Sequence, residues 1–142
     1  MNETSATEPY SELSYYTLAH ATKDFIHQHF VDAYAAQKAD LNSKPIGITF
    51  ALVGLYLFVE RGYTGRQVQK VHMQMAKNKR VWPAFTLPEK RGNITIVDVL
   101  KAPAGKSRDE MIKKWCESVW EAYRGNSAVV KELLQSYQIF RQ

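Results

Sequence analysis

The stretch PIGITFALVGLYLFVER, Pro45 to Arg61, decides the fold. Ile46, Ile48, Phe50, Leu52, Val53, Leu55, Tyr56, Leu57, Phe58 and Val59 leave no polar face at any helical angle. A helix that is apolar all round must be surrounded by protein or by lipid. Crossing a bilayer takes about 20 apolar residues, and this run is well short of that. The stretch is therefore expected to be the central helix of an all-α, single-domain bundle, with the other segments packed around it. Pro45 suits its first turn and Gly62 its end, with Ser43 as the expected N-cap.

Outward from that rod, helical spacing recurs on both sides. Tyr10, Leu13, Tyr16 and His20 mark a first helix over residues 9–20, after a polar and disordered tail at 1–9. Thr22 is the expected cap of a second helix running to about Asp40, with Asp24 in its first turn. Its apolar stripe is Ile26, Phe30, Ala33 and Tyr34, flanked by His27 and Val31. Thr64 and Gln67 form a capping box for a fourth helix whose inner side is Val68, Val71, His72 and Met75. Pro83, Pro88 and Gly92 make residues 79–94 an irregular connection, pinned to the bundle by Trp82, Phe85 and Leu87. Thr95 and Asp98 open a short helix, preferred to a strand because a lone strand has no visible partner. Ser107 to Glu110 read as a capping motif for a helix that buries Ile112, Cys116, Val119, Trp120 and Tyr123. Asn126 or Ser127 caps the last helix, with Val130, Leu133, Leu134, Tyr137 and Phe140 as its stripe. The count is six or seven helices around one core, in a domain spanning 10–142.

The 142 residues are 45% hydrophobic and 23% charged, the balance of an ordinary globular chain. No basic start followed by an apolar run precedes residue 45, so a cytosolic protein without a membrane partner is expected. The lone Cys116 excludes an internal disulfide. The net charge of +5 is unevenly spread. Residues 1–44 carry −3: Lys23, Lys38 and Lys44 against Glu3, Glu8, Glu12, Asp24, Asp32 and Asp40. Residues 61–91 carry +7: Arg61, Arg66, Lys70, Lys77, Lys79, Arg80, Lys90 and Arg91 against Glu89. A basic middle attracts phosphate or an acidic partner, although the preferred reading is a solvated basic face with no dedicated ligand.

Four histidines, His20, His27, His29 and His72, are the candidate proton carriers and metal ligands. His29 and Asp32 lie three apart and share a helical face, whereas His27 and His29 point to nearly opposite sides. Bundles build metal sites from inward histidines and carboxylates on facing helices. A divalent ion such as zinc would join His72 with His27, or with His29 and Asp32. There is no HExxH, no Glu-x-x-His and no cysteine pair. Alternatively, His27 and His72 are hydrogen-bonded core histidines and His29 lies on the surface. Cys116, between Ile112 and Trp120, reads as a small core residue. The three tryptophans read as packing groups, unless Trp82 stands exposed beside Lys79 and Arg80 as a stacking surface.

The runs VDAYAAQ (Val31 to Gln37), GLYLFVERG (Gly54 to Gly62), WPAFTLPEKRGNITIVDV (Trp82 to Val99) and WCESVWEAY (Trp115 to Tyr123) occur in order with similar spacing in a known group. They resemble an uncharacterised bacterial family known only as a domain of unknown function, over about Tyr10 to Leu134. The resemblance implies a shared pattern at Asp32, Tyr34, Gln37, Glu60, Arg61, Trp82, Pro83, Asp98, Trp115 and Trp120, and no established activity. Several members carry a cysteine-containing N-terminal stretch and a histidine early in the apolar helix. This chain has neither, and its helix reads Phe50-Ala51-Leu52.

Three functional expectations follow. The first is a non-enzymatic binding or interaction module, with a polar pocket near His27, His29, Asp32, Gln37, Glu60 and Arg61 for a small ligand, an ion or a protein. The second is a metal-dependent bundle enzyme using His27, His29 or His72. The third is nucleic-acid binding through residues 61–91, ranked last because helix-turn-helix spacing is not evident.

Overall fold

The computed structural model describes residues 2–19, 24–78 and 81–139, with side chains from residue 8 onward. Thr22, His20, Lys79, Arg80 and Phe140, to which the sequence assigns roles, lie outside the described residues. The described residues form seven α-helices and one 3₁₀ turn, with no strand.

Helix α3 (Pro45–Arg61) lies in the middle. Thr49 and every residue from Ala51 to Leu57 are buried. The Thr49 hydroxyl reaches that apolar setting by donating to Pro45 O at 2.7 Å. Around α3 stand α2 (Ile26–Lys38), α4 (Gly65–Lys77), α6 (Lys106–Tyr123) and α7 (Ser127–Ser136), all in contact with it. Helix α1 (Asn2–Ala19) packs on α2 and on the short α5 (Ile96–Lys101). It begins at Asn2, ahead of the start expected near residue 9. Trp115, Trp120, Tyr123, Phe30 and Leu13 are the large groups wholly enclosed between these helices. Each such side chain stabilises the fold by about 1.5–3 kcal/mol through removal from water.

The second helix is also flanked on several sides. It touches α1, α3, α4 and α6. Its buried residues are His29, Phe30, Asp32, Ala33 and Ala36, so two faces point inward rather than the one stripe the spacing suggests. Gly54 makes room for the second face. A Cβ there would run into the Asp32 carboxyl.

The helix ends follow the expected chemistry in part. Gly62 closes α3 at φ 71°, a left-handed conformation that glycine adopts without a Cβ clash. Thr64 Oγ1 accepts from Gln67 N–H at 3.2 Å, while Gln67 Oε1 accepts from Thr64 N–H at 2.8 Å. Asp98 Oδ2 accepts from Thr95 N–H at 2.9 Å, and residues 96–101 are helical. Three expected caps do other work. Ser43 Oγ accepts from Asp40 N–H in the turn before α3, which begins after Lys44 without a side-chain cap. Helix α6 starts at Lys106 after Gly105 at φ 102°, so Ser107 is already inside it. Asn126 belongs to the 3₁₀ turn at Arg124–Asn126, and its amide faces a neighbouring segment.

That segment, residues 81–95, is a strap with no regular structure. Asn126 Nδ2 donates to Thr86 O at 2.9 Å, and Asn126 Oδ1 accepts from Thr86 N–H at 2.8 Å. Ser118 Oγ accepts from Asn93 N–H. Gln37 Nε2 donates to Ile94 O at 2.7 Å and to Arg91 O at 3.1 Å. Arg91 donates to carbonyls at the end of α2, those of Gln37 and Ala39. Trp82, Phe85 and Leu87 pack against the core, with Trp82 edge-on to Phe50.

Candidate functional site: a cleft over a buried histidine

An open cleft of about 560 Å³ lies where the start of α2, the end of α3 and the start of α6 converge. Ile26 and His29 come from α2, Phe58 and Gly62 from α3, and Lys106, Asp109, Glu110 and Lys113 from α6. Asp24, Tyr63, Thr64 and Gly105 complete its walls. The helix periodicity that puts Phe30 and Ala33 into the core leaves His29 one step round, toward α3.

His29 is 3% exposed and forms part of the cleft wall. Its ring stacks on Phe58, with centroids 3.6 Å apart and planes 13° from parallel. Nδ1 is buried without a hydrogen-bond partner among the described residues. Burial pulls its pKa down to about 4, so the imidazole is neutral near pH 7. One turn further along the same face, Asp32 Oδ1 accepts from Gln28 Nε2 at 3.1 Å, and Oδ2 has no partner among the described residues. Burial pushes this carboxyl well above its ordinary value, against the opposing hydrogen bond from Gln28. The Cys116 thiol donates to His29 O at 3.4 Å. Burial and the neighbouring Asp32 raise its pKa well above the ordinary thiol value, which disfavours the nucleophilic thiolate.

The α6 wall of the cleft is held in place from α1. Tyr16 OH donates to Asp109 Oδ1 at 2.7 Å and accepts from Gly105 N–H at 2.9 Å. The Arg108 guanidinium lies over the Tyr16 ring at 4.8 Å and donates to Leu100 O and Ala102 O. Asp109 therefore faces the cleft from a fixed position.

Of the residues singled out in the sequence, His29 and Asp32 come together. The expectation that His29 is a surface residue is overturned by its burial against Phe58. His27 turns to α1, where Nδ1 pairs with Thr17 Oγ1 at 2.8 Å, and burial lowers its pKa. His72 Nε2 donates to Phe50 O at 2.8 Å with its ring stacked on Phe50. Burial takes its pKa down to about 4, outweighing the carbonyl. Gln37 sits beside a second groove, of about 630 Å³. Its amide is already engaged: it holds the strap and accepts from Trp115 Nε1 at 3.0 Å. Glu60 accepts from Trp120 Nε1 at 2.8 Å and pairs with Arg124 at 3.0 Å. Arg61 is exposed at the end of α3. Among the described residues no group of three or more His, Cys, Asp or Glu side chains is arranged to hold a metal ion. Nothing in the sequence marks Phe58, Tyr63, Asp109 and Lys113 as cleft residues, because nothing in it places the start of α6 beside the start of α2.

The fold and cleft define an all-α bundle with a neutral, stacked imidazole in the wall of an open cavity. No described helix is long and apolar enough to cross a membrane. The chain belongs to a family of unknown function, DUF5946, whose model matches residues 6–124. No curated protein and no solved structure matches it.

Proposed function

We propose that this protein is a ligand-binding helical module and that its ligand, a small aromatic amine, sits over His29. The observation that carries it is the unpartnered nitrogen of a 3%-exposed histidine in the wall of a cleft of about 560 Å³. A buried polar atom without a partner costs about 1–3 kcal/mol; Nδ1 is closed off from the cleft, so a ligand satisfies it through a small turn of the His29 ring. Ile26, Phe58 and Tyr63 offer an aromatic and apolar wall. Asp24, Asp109 and Glu110 outnumber Lys106 and Lys113 around it, which favours a cationic group.

Tyramine serves as the probe, titrated into the protein and followed by NMR. Shifts confined to the His29, Phe58 and Tyr63 signals of the native chain, and weakened at least tenfold in His29→Phe, are expected. Binding of equal strength to His29→Phe, or no perturbation of the cleft by tyramine and its phenyl-amine analogues, defeats the proposal.

A further inference from the structure

Two helices of this chain present outward faces of opposite charge and equal spacing. On α1, Glu8, Glu12 and Tyr15 follow one another at steps of four and three residues, and all three are exposed. On α4, Arg66, Lys70 and Met73 repeat the same steps, and all three are exposed. Residues separated in this way lie on one face of a helix. From residue 8 to residue 19 α1 has no cation, and α4 has no anion along its length. Each face ends in a large group facing water: Tyr15 is 77% exposed and Met73 58%. Glu8, Glu12 and Lys70 take part in no ion pair among the described residues. The Arg66 guanidinium lies over the Phe25 ring at 4.0 Å and donates to Gln69 Oε1 at 3.2 Å, and the residue stays exposed.

Within one molecule α1 rests on α2 and α5, while α4 rests on α2 and α3, so both outward faces remain for another molecule. We infer that they pair between two copies of this chain, α1 of each lying alongside α4 of the other. A parallel register sets Glu8 against Arg66, Glu12 against Lys70 and Tyr15 against Met73. A two-fold axis repeats the set, giving four charge pairs and two thioether–aromatic contacts. Exposed pairs are individually weak and screened by salt. The dimer is accordingly weak and sensitive to ionic strength.

Sedimentation equilibrium of the full chain tests it. A dimer is expected at about 50 mM salt and a monomer at about 500 mM, where the screening length is much shorter. Glu12→Lys and Lys70→Glu, both at exposed positions, each give a monomer at low salt. An equimolar mixture of the two variants re-forms a dimer. In one half of that mixed dimer the two substituted positions meet as a reversed charge pair, and in the other half Glu12 meets Lys70 as in the native chain. A native chain that is monomeric at both salts overturns the inference. So do single variants that stay dimeric, or a mixture that stays monomeric. A monomer that instead retards a DNA duplex, and loses that ability in Lys70→Glu, assigns the α4 face to nucleic acid and likewise overturns it.

Discussion

Gly54 has no side chain, and the Asp32 carboxyl stands in the room this leaves. The approach is close enough that even a methyl group meets Oδ2, held in a wall of packed helices rather than at a mobile tip. Overpacking a core of this kind costs about 1–3 kcal/mol. Gly54→Ala is therefore expected to lower the unfolding free energy in urea by that amount, and Asp32→Ala in the same chain to recover a large part of the loss. An unchanged urea midpoint in Gly54→Ala alone would contradict the contact. The shared face of His29 and Asp32 was legible from their spacing. Its inward direction was not, because Ile26, Phe30, Ala33 and Tyr34 already supply a sufficient apolar stripe. What turns the polar face inward is a missing Cβ on another helix, and a single sequence does not say which glycine meets which carboxylate.

At the scale of elements, the helices that own a strong local signal were readable: the all-apolar α3, the Thr64–Gln67 box of α4, the Thr95–Asp98 start of α5. The strap was readable only as a gap weighted with aromatic residues. Its anchors, Gln37, Ser118 and Asn126, look in sequence like ordinary helix surface or cap residues. Asn126 stands at the expected N-cap position of α7 but makes no side-chain capping bond. Its side chain suits a cap, yet it serves as a backbone mimic for Thr86, offering a donor and an acceptor at once. Asn126→Ala leaves the Thr86 N–H and carbonyl unanswered and is expected to cost about 2 kcal/mol in urea denaturation. Asn126→Asp costs at least as much, since a carboxylate accepts but does not donate to Thr86 O and Tyr123 O. A loss below a few tenths of a kcal/mol in both variants would show that the strap does not depend on this residue.

For the whole molecule, buried His29 and half-buried His27 and His72 are expected to weaken the fold as pH falls. His27, His29 and His72 all have pKa values lowered by burial from 6.5. Groups that resist protonation in the fold contribute stability that is complete above the unfolded value and declines as pH falls through it. Asp32 acts in the opposite sense. Its raised value favours the fold most below 3.8, and that advantage is lost as pH rises. Three imidazoles against one carboxyl leave a net loss on acidification between 6.5 and about 4. The fall of His29 to about 4 corresponds to about 3 kcal/mol across that window. Melting temperature is expected to drop steadily below pH 6.5, and His29→Phe to make the drop shallower. A native chain whose melting temperature is flat from pH 7.5 to pH 4.5 would rule out imidazoles kept neutral by burial.

The strap also has a bearing on the order in which the chain takes shape. Its fastenings join residues 25, 40, 54 and 57 positions apart, and they draw on the end of α2, the middle of α6 and the turn before α7. Those seats lie on three different elements, so they come into register with one another only once those elements have met. Residues 81–95 are therefore expected to settle after the bundle, as a latch closed over it, and to exchange their amide hydrogens sooner than the core helices.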